Sequence, residues 1–351
     1  MPLNTIPNKG LTSRGYPSDR LVTPIIINGD MSMAQRGADI NDVAHGGYCT
    51  DRYRFHKANT GELVMNFDQV TDVPTGQGFS SSLKLSVGTA ESATASNELV
   101  SIGQRIEAQN LQNLRFGTSS ADNLTLCFWV KSSVTGTYSV LIFQQDASSS
   151  PDRRYYSQPF TINASNTWEK KTINISGNQD DTIANDNGIG LDFRINLSAG
   201  SSLTSGSSDT WGSSTNTAVG QTANFSGTSS ATFFLTGVQL EVGEFDSTTI
   251  PSFPFESFES NLKKCQRYYQ LARIWWGGDA TNGEEYRAGT QLSTDMRATP
   301  SVTYTHLDSA NFSTSATSQS STSYNLAIRV AAATSASARY YVFGAVADSE
   351  L

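Results

Sequence analysis

The sequence predicts an all-β protein: an antiparallel jelly-roll or β-sandwich with an N-terminal extended arm, one short helix and a smaller C-terminal β domain. Strand-length segments with alternating apolar and polar residues recur along the 351-residue chain, most clearly at residues 123–131 and 189–197. Polar, turn-forming segments separate these strands, and only 16% of the residues are charged. Aromatic residues make up 10% of the chain and can fill a core, and the polar residues are mostly Ser, Thr, Asn, Gln and Gly. This composition favours strands and turns and argues against a helical bundle or a disordered chain.

Residues 1–24 show no apolar periodicity and contain four prolines and two glycines. Such a segment has no core of its own. We therefore expect an extended arm that serves attachment or oligomerisation by lying along a neighbouring chain.

Residues 25–250 are predicted to form the jelly roll. The predicted strands, in chain order, are residues 25–27, 52–57, 62–67, 82–87, 99–106, 123–131, 137–143, 160–162, 168–175, 189–197 and 231–242. The four residues 58–61 have the length of a hairpin connection, and the turn at 164–166 predicts a second hairpin. In the last strand the apolar alternation slips around Gly237, which is typical of a β-bulge.

Residues 251–351 begin at a break formed by Pro251 and Pro254 and are predicted to hold the helix and the smaller β domain. The helix is expected at residues 256–272, because apolar residues there recur at spacings of four and three: Phe258, Leu262, Cys265 and Tyr269. It could pack on the edge of the sandwich, or these four residues could form oligomer contacts in a helix bundle. Further strands are expected at residues 285–292, 301–306, 324–331 and 339–345.

Two sets of side chains beside the strands are expected to stabilise the fold. Trp129 and Trp168 are large enough to fill the space between two sheets. Charged residues next to apolar strands are usually half-buried and paired, and they are found here at four positions: Arg36, Arg52, Arg105 and Glu107.

Charge and hydropathy exclude several partners. The formal net charge is −8 and no dense run of Lys and Arg occurs, so we expect no binding to nucleic acid. The longest apolar stretches, at residues 124–130 and 140–143, have the length of strands, and we expect no membrane insertion. The N-terminus has no apolar segment typical of a secretory signal.

The three cysteines are Cys49, Cys127 and Cys265, and they form no metal-binding or disulfide motif. We therefore expect free thiols in a protein that is assembled in a cytoplasm.

Short motifs spread over residues 25–351 resemble a family of bacteriophage virion and tail-fibre proteins, many of them from phages of marine bacteria. The resemblance rests on residues 26–31, 34–37, 51–53, 104–107, 128–131, 166–169, 238–241, 265–269, 296–300 and 347–351. It implies a jelly-roll domain similar to a carbohydrate-binding module, carried on a virion, often trimeric and often facing the host.

The sequence contains no recognisable catalytic site. It has three histidines, none in a metal-ligand spacing, and it lacks a nucleophile elbow and a phosphate-binding loop. Glycoside hydrolysis needs two carboxylates across a cleft, and nothing in the sequence selects such a pair. We therefore expect no enzymatic activity, with a polysaccharide depolymerase as the alternative.

A loop rich in oxygen donors precedes the strand predicted at residues 189–197. It contains Asp180, Asp181 and Asp186, which could hold a structural calcium ion. The spacing is not that of an EF-hand, and the same residue types form ordinary turns, which we favour. No other cofactor is expected.

Glycan binding needs exposed aromatic rings beside hydrogen-bonding groups, because the apolar face of a sugar stacks on a ring while its hydroxyl groups need partners. Five aromatic residues outside the clearest core strands are candidates: Tyr155, Tyr156, Trp211, Trp275 and Trp276. Adjacent side chains on a strand point in opposite directions, so only one of Trp275 and Trp276 can face solvent there. Coverage of subunit interfaces is the alternative role for these rings.

These observations predict a bacteriophage virion structural protein on the tail or capsid surface, most simply a short tail fibre or receptor-binding protein that recognises a host surface glycan. A capsid decoration protein or head fibre anchored by residues 1–24 is the structural alternative. The arm and the helix lack enough partners within one jelly roll, so we expect a symmetric homo-oligomer, most simply a trimer, that contacts other virion proteins.

Overall fold

The computed structural model describes residues 24–91, 94–145, 154–213, 216–304, 307–312 and 318–351. The predicted arm lies outside these residues except for Pro24. One cluster of buried apolar side chains extends from Ile26 to Leu240. A second, smaller cluster extends from Ile274 to Ala347. The described part of the chain therefore contains two hydrophobic cores.

The first core lies between two six-stranded sheets. Within the described residues, the strands are β1 (Asp39–Ile40), β2 (Arg54–Ala58), β3 (Val64–Val70), β4 (Ser82–Thr89), β5 (Leu99–Glu107), β6 (Leu124–Ser132), β7 (Gly136–Gln144), β8 (Arg154–Ile162), β9 (Glu169–Ile175), β10 (Ile189–Ala199), β11 (Trp211–Gly212) and β12 (Thr232–Val242). The first sheet has the order β1-β3-β4-β12-β6-β9, and the second has the order β11-β8-β7-β10-β5-β2. Neighbouring strands are antiparallel, which confirms the predicted jelly-roll sandwich.

Alternation along each strand determines which side chains enter this core. On β10, Leu191, Phe193 and Ile195 are fully buried between the sheets, where burial of each large apolar side chain contributes about 1.5–3 kcal/mol. The alternation at residues 189–197 predicts that the opposite face of β10 is solvated, and the structure shows instead that this face is buried. Asp192 is 3% exposed and Arg194 is 8% exposed, because the outer face of the second sheet is itself covered and its charges are paired.

Both predicted hairpins are wrong. The chain leaves β2 in the second sheet and enters β3 in the first, and it likewise passes from β8 in the second sheet to β9 in the first. A short polar turn can join two paired strands or can cross between two sheets. Residues 58–61 and residues 164–166 each cross from the second sheet to the first.

The segment predicted as a strand at residues 25–27 forms no strand. Instead the Gln104 side chain hydrogen-bonds both backbone groups of Ile27: its Oε1 accepts from the amide at 2.9 Å and its Nε2 donates to the carbonyl at 2.8 Å. A side-chain amide therefore replaces a neighbouring strand as the backbone partner. A short 3-10 helix at Ala108–Leu114, also unpredicted, follows β5.

The helix α1 (Phe258–Gln266) is shorter than predicted. The Ser257 hydroxyl caps it by accepting a hydrogen bond from the Ser260 amide at 3.2 Å. Cys265 is buried against the rest of the chain, and Tyr269 is buried in a strand that follows the helix, so neither is available as the oligomer contact that was predicted. Phe258 is 68% exposed and Leu262 is half-buried, and their role in an oligomer stays a prediction.

The second core is covered by a smaller β unit, as predicted. Its described strands are β13 (Tyr269–Ala280), β14 (Glu285–Gln291), β15 (Ser301–Tyr304), β16 (Leu307–Ala310), β17 (Ser318–Thr322), β18 (Asn325–Ala331) and β19 (Ala336–Asp348). One sheet has the order β13-β19-β15, with β16 also paired to β19, and the other has the order β14-β18-β17. The strand β13 starts where the helix was expected to continue.

Buried ion pairs join this unit to the jelly roll and confirm the predicted structural role of the charged residues. Both carboxylate oxygens of Glu107, on β5, accept hydrogen bonds from Arg267, at 2.7 and 2.8 Å. The carboxylate of Glu350 lies against Arg52 and within 3.3 Å of Arg36.

Among the residues that the structure describes, no helix combines the length and the apolar character required to span a bilayer.

Candidate functional site

A groove on the outer face of the first sheet combines aromatic rings with a buried polar atom that has no hydrogen-bond partner. Trp129 on β6 and Gln239 on β12 both point away from the core. This placement of Trp129 contradicts the expectation that it fills the space between the sheets. Trp168 is also on this outer face, where its ring packs on Phe234 at 6.1 Å.

A β-bulge shapes the floor of the groove. The pairing of β12 with β6 shifts between Thr236 and Gln239, which confirms the predicted bulge. Gly237 within it has a φ of +63°, in the left-handed region. A Cβ at this position would lie 2.5 Å from Cζ of Phe79 and 3.0 Å from Cδ1 of Trp129. The glycine therefore lets both rings lie directly against the backbone.

Three phenylalanine side chains form one wall of the groove. The centroid of the Phe79 ring lies 5.1 Å from that of Phe253 and 5.2 Å from that of Phe255. Phe253 and Phe255 pack edge to face at 4.9 Å. Phe255 is 52% exposed, which is high for an aromatic ring that packs in a cluster. This wall presents an apolar ring surface to solvent.

Polar groups line the rest of the groove, whose volume is about 460 Å³. The Nε2 of Gln239 donates to the Pro251 carbonyl at 3.0 Å, but its buried Oε1 accepts no hydrogen bond. Lys170, whose Nζ donates to the Ser247 carbonyl at 3.4 Å, and Thr248 lie at the rim. A volume of this size is typical of small-ligand sites, and a buried acceptor without a donor is uncommon in a native fold.

Of the predicted glycan-binding residues, Tyr155 is half-buried on β8 of the second sheet. Its ring stacks on Phe143, with the centroids 4.4 Å apart and the planes 4° from parallel. It lines a cleft of about 240 Å³ together with Ser157 and Asn216. The prediction for Tyr155 stays open.

Tyr156 is buried in the core, and the structure corrects its assignment as a binding platform. Tyr155 and Tyr156 are neighbours on β8, so their side chains must lie on opposite faces of the sheet. The hydroxyl of Tyr156 donates to the carbonyl of Asn174 at 3.1 Å. Trp211 packs on this ring at 5.4 Å, and its indole nitrogen donates to the Ser176 carbonyl at 2.6 Å. Trp211 is thus half-buried and held in place.

The two adjacent tryptophans of β13 follow the predicted alternation. Trp275 is 65% exposed. The ring of Trp276 packs on Tyr286 at 4.8 Å and on Phe312 at 5.1 Å, as part of the smaller core. Trp275 is exposed and Trp276 is half-buried, so Trp275 offers the larger ring surface to a ligand or a second chain.

Two of the three carboxylates of the predicted calcium loop lie near the same arginine, and the third has a partner in its own turn. Asp181 pairs with Arg154 at 2.6 Å, and Asp186 accepts a hydrogen bond from the Gly188 amide at 2.7 Å in its own turn. Asp180 lies 3.9 Å from the same arginine and is exposed. Among the described residues, His, Cys, Asp and Glu side chains form no group of three suited to a metal ion. Calcium binding here stays a prediction.

Replacing Gly237 by alanine should destabilise the protein and disturb the groove. A left-handed φ costs an L-residue about 1–2 kcal/mol, and the collision with Phe79 should add about 1–3 kcal/mol. Gly283 is the matched control, because it has a φ of +82° with nothing within 4 Å of an added Cβ. Urea unfolding of Gly237→Ala and Gly283→Ala measures the difference. Equal losses in the two variants would show that the rings do not press on the bulge.

Sequence reasoning missed the aromatic groove, although one signal pointed to it. Trp129 alternates with the core residues Phe128 and Val130 and therefore belongs to the outer face. Phe79, Phe253 and Phe255 come from connecting segments without periodicity, so only the folded chain brings them together.

Neither a family model nor a curated protein matches this sequence. Solved structures with similarity include the enzymatically active domain of tailspike protein 4 from bacteriophage CBA120, at 16% identity over 58% of this chain and 21% of that one, with a TM-score of 0.31. A family 11 carbohydrate-binding module of a Clostridium thermocellum cellulosomal cellulase aligns at 9% identity over 59% of this chain and 96% of that one (TM-score 0.30). The CBM22-2 xylan-binding domain from Paenibacillus barcinonensis aligns at 15% identity over 58% of this chain and 98% of that one (TM-score 0.28). This chain therefore spans 21% of the tailspike structure and nearly all of the two modules. These are likenesses of fold alone.

Proposed function

We propose that this chain is a bacteriophage virion protein that binds a glycan of the host surface in the aromatic groove of the first sheet. The observation that carries the proposal is the unpaired Oε1 of Gln239, buried in a groove that Trp129 and Phe255 line. A sugar ring places C–H groups on aromatic faces and offers hydroxyl donors at its edge. In the groove, the rings of Trp129 and Phe255 can pack against the C–H groups of a sugar, and the Gln239 Oε1 can accept a hydrogen bond from a hydroxyl group.

The polar rim fits a glycan better than an apolar ligand. Lys170 and Thr248 are exposed at the mouth of the groove, where they can hydrogen-bond sugar hydroxyl groups in place of water. An apolar ligand would leave the Gln239 acceptor buried without a donor, which costs about 1–3 kcal/mol. A neutral sugar residue avoids this cost by donating a hydroxyl hydrogen.

The position on a virion rests on the sequence motifs, including residues 265–269 and 296–300, that resemble phage tail-fibre and virion proteins. We propose a receptor-binding role on the tail, in a trimer, with binding and no catalysis. Cryo-electron microscopy of the particle should locate the chain at the tail, whereas density on the capsid shell would favour a decoration protein. New reducing ends after incubation with host polysaccharide would overturn the non-catalytic role.

Removing the ring of Phe255 should weaken glycan binding without unfolding the protein, because this ring is half exposed. A glycan array with the intact chain would identify the ligand, and titration calorimetry would then compare the variants. We expect Phe255→Ala and Gln239→Leu each to weaken binding about tenfold, the loss of about 1.4 kcal/mol.

Trp275→Ala is the matched control, since it removes an exposed aromatic ring from the other β unit. It should leave the affinity unchanged. If Trp275→Ala abolishes binding and Phe255→Ala does not, the groove is not the glycan site.

A further inference from the structure

One strand of the smaller β unit leaves its sheet with an open edge. β13 is the outermost strand of the order β13-β19-β15, and among the described residues it pairs with β19 alone. An unpaired edge presents a row of backbone N–H and C=O groups that can pair with another strand. Gly277 and Gly278 on this strand are exposed. Because a glycine has no side chain, their exposure is that of the backbone itself.

Apolar side chains on the outer face of β13 are exposed as well. Leu271 is 56% exposed and Trp275 is 65% exposed, whereas Ile274 and Ala280 face the smaller core. Trp275 is in register with Tyr341 of β19, so the two side chains share the outer face. Native proteins commonly protect an edge strand by shortening it or by placing lysine or proline in it. β13 is 12 residues long and contains neither residue, so its edge is suited to a partner strand.

The two charged residues of β13 lie on this same outer face, because an even number of positions separates them. Arg273 and Asp279 are both exposed, and neither has an ion-pair partner among the residues that the structure describes. Six positions of an extended strand span about 20 Å, so the two side chains cannot pair within one chain. The strand therefore offers one positive and one negative charge to a neighbouring chain.

A two-fold axis at Trp276 would bring these charges together. Two copies of β13 that pair antiparallel about this residue place Arg273 of one copy opposite Asp279 of the other, and the same pair forms twice. Trp275 then lies opposite Gly277 of the second copy, which has no side chain to exclude the indole ring. The two Trp275 residues become diagonal neighbours with Cα atoms about 7–8 Å apart, within reach of aromatic rings. The strand is therefore complementary to itself in charge and in shape.

We propose that β13 is a self-association surface, at which two copies of this chain join their sheets into one. Main-chain hydrogen bonds between the two edges supply the contact, and the Arg273–Asp279 pairs fix the register. The surface lies in the smaller β unit and does not depend on glycan binding in the aromatic groove. A two-fold contact is separate from the proposed trimer: alone it gives a dimer, and combined with a trimer it gives six copies in the simplest closed assembly.

Sedimentation equilibrium of the intact chain tests this proposal, and we expect an even number of copies. Arg273→Asp and Asp279→Arg should each weaken the two-fold contact about tenfold, because each reversal turns two attractive pairs into two like-charge contacts. Combining the two reversals restores opposite charges only where residue 273 of one copy faces residue 279 of the other. The double variant should therefore recover the wild-type dissociation constant. Arg287→Asp is the matched control, since it reverses an exposed charge on β14, in the other sheet of the same unit.

A chain that sediments as a monomer or as a trimer would overturn the proposal. An even assembly that Arg273→Asp leaves intact, or one that the double variant fails to restore, would overturn it as well. Trp275→Ala should weaken self-association and leave the glycan affinity of the aromatic groove unchanged, so failure at this surface is distinguishable from failure at the groove.

Discussion

Glu350→Ala should lower the free energy of unfolding by about 3–5 kcal/mol, because it leaves a buried arginine without its counter-charge. The Arg52 side chain is 2% exposed and pairs with Glu350. Its guanidinium also donates to the Arg105 carbonyl at 2.5 Å and lies 3.4 Å from the centroid of the Tyr268 ring. None of these remaining contacts supplies a negative charge. Urea unfolding measures the loss, and hydrogen exchange in β19 should show where the structure opens.

Two further variants make this expectation specific. Glu285→Ala removes a carboxylate from an exposed pair with Arg329 in the same β unit and should cost at most about 1 kcal/mol. Replacing both buried partners, Arg52→Met with Glu350→Leu, should recover much of the lost stability, since no unpaired charge remains. A loss for Glu350→Ala no larger than that for Glu285→Ala would show that Arg52 is adequately solvated without its partner.

Glu107→Gln should cost about 2–3 kcal/mol, the typical value of hydrogen bonds to a buried charged group. Glu107 is fully buried at the end of β5, and the Arg267 guanidinium holds both of its oxygens. The glutamine keeps the shape but can accept only one of these two bonds. Asp122→Asn is the matched control, because it weakens an arginine pair at the surface, where the loss should be about 0.2–1 kcal/mol.

The cost of Glu107→Gln should also depend on pH. Burial acts to raise the pKa of Glu107, but hydrogen bonds from Arg267 and Tyr268 outweigh it and the pKa is lowered below its ordinary value of 4.5. A carboxyl group whose pKa is lowered by folding stabilises the native state above its unfolded pKa. That contribution is lost as the pH falls through the folded pKa. The stability difference between the wild type and Glu107→Gln should therefore shrink below about pH 4.5. A constant difference down to pH 3 would contradict the role of this charge.

The connections between strands show where sequence patterns were insufficient. The turns at residues 58–61 and 164–166 have the length and residue types of hairpins, yet each crosses between the two sheets. Turn residues specify that the chain reverses or bends. Which strands then pair depends on the packing of all twelve strands, which no short segment encodes.

The helix shows a similar competition. The segment from Phe258 to Cys265 has helical apolar spacing and lies in the helix. The same spacing continues to Tyr269 in the sequence, but Tyr269 begins a strand. Residues 269–280 pair instead with β19, which lies about seventy positions further along the chain. Pairing of backbone groups along a long strand, together with burial of Ile274, prevailed over local periodicity.

By itself the sequence determined the class of the fold, the β-bulge at Gly237 and the division of the clearest strands into two faces, because alternation with period two is a local property of the chain. It also indicated that charged residues beside the strands would pair. Only the tertiary structure decided which partners they have, that Asp192 and Arg194 are covered, and that Phe79 and Phe255 meet Trp129 in one groove. These contacts join segments distant in sequence, and their energy depends on desolvation and shape, which exist only once the two sheets have packed.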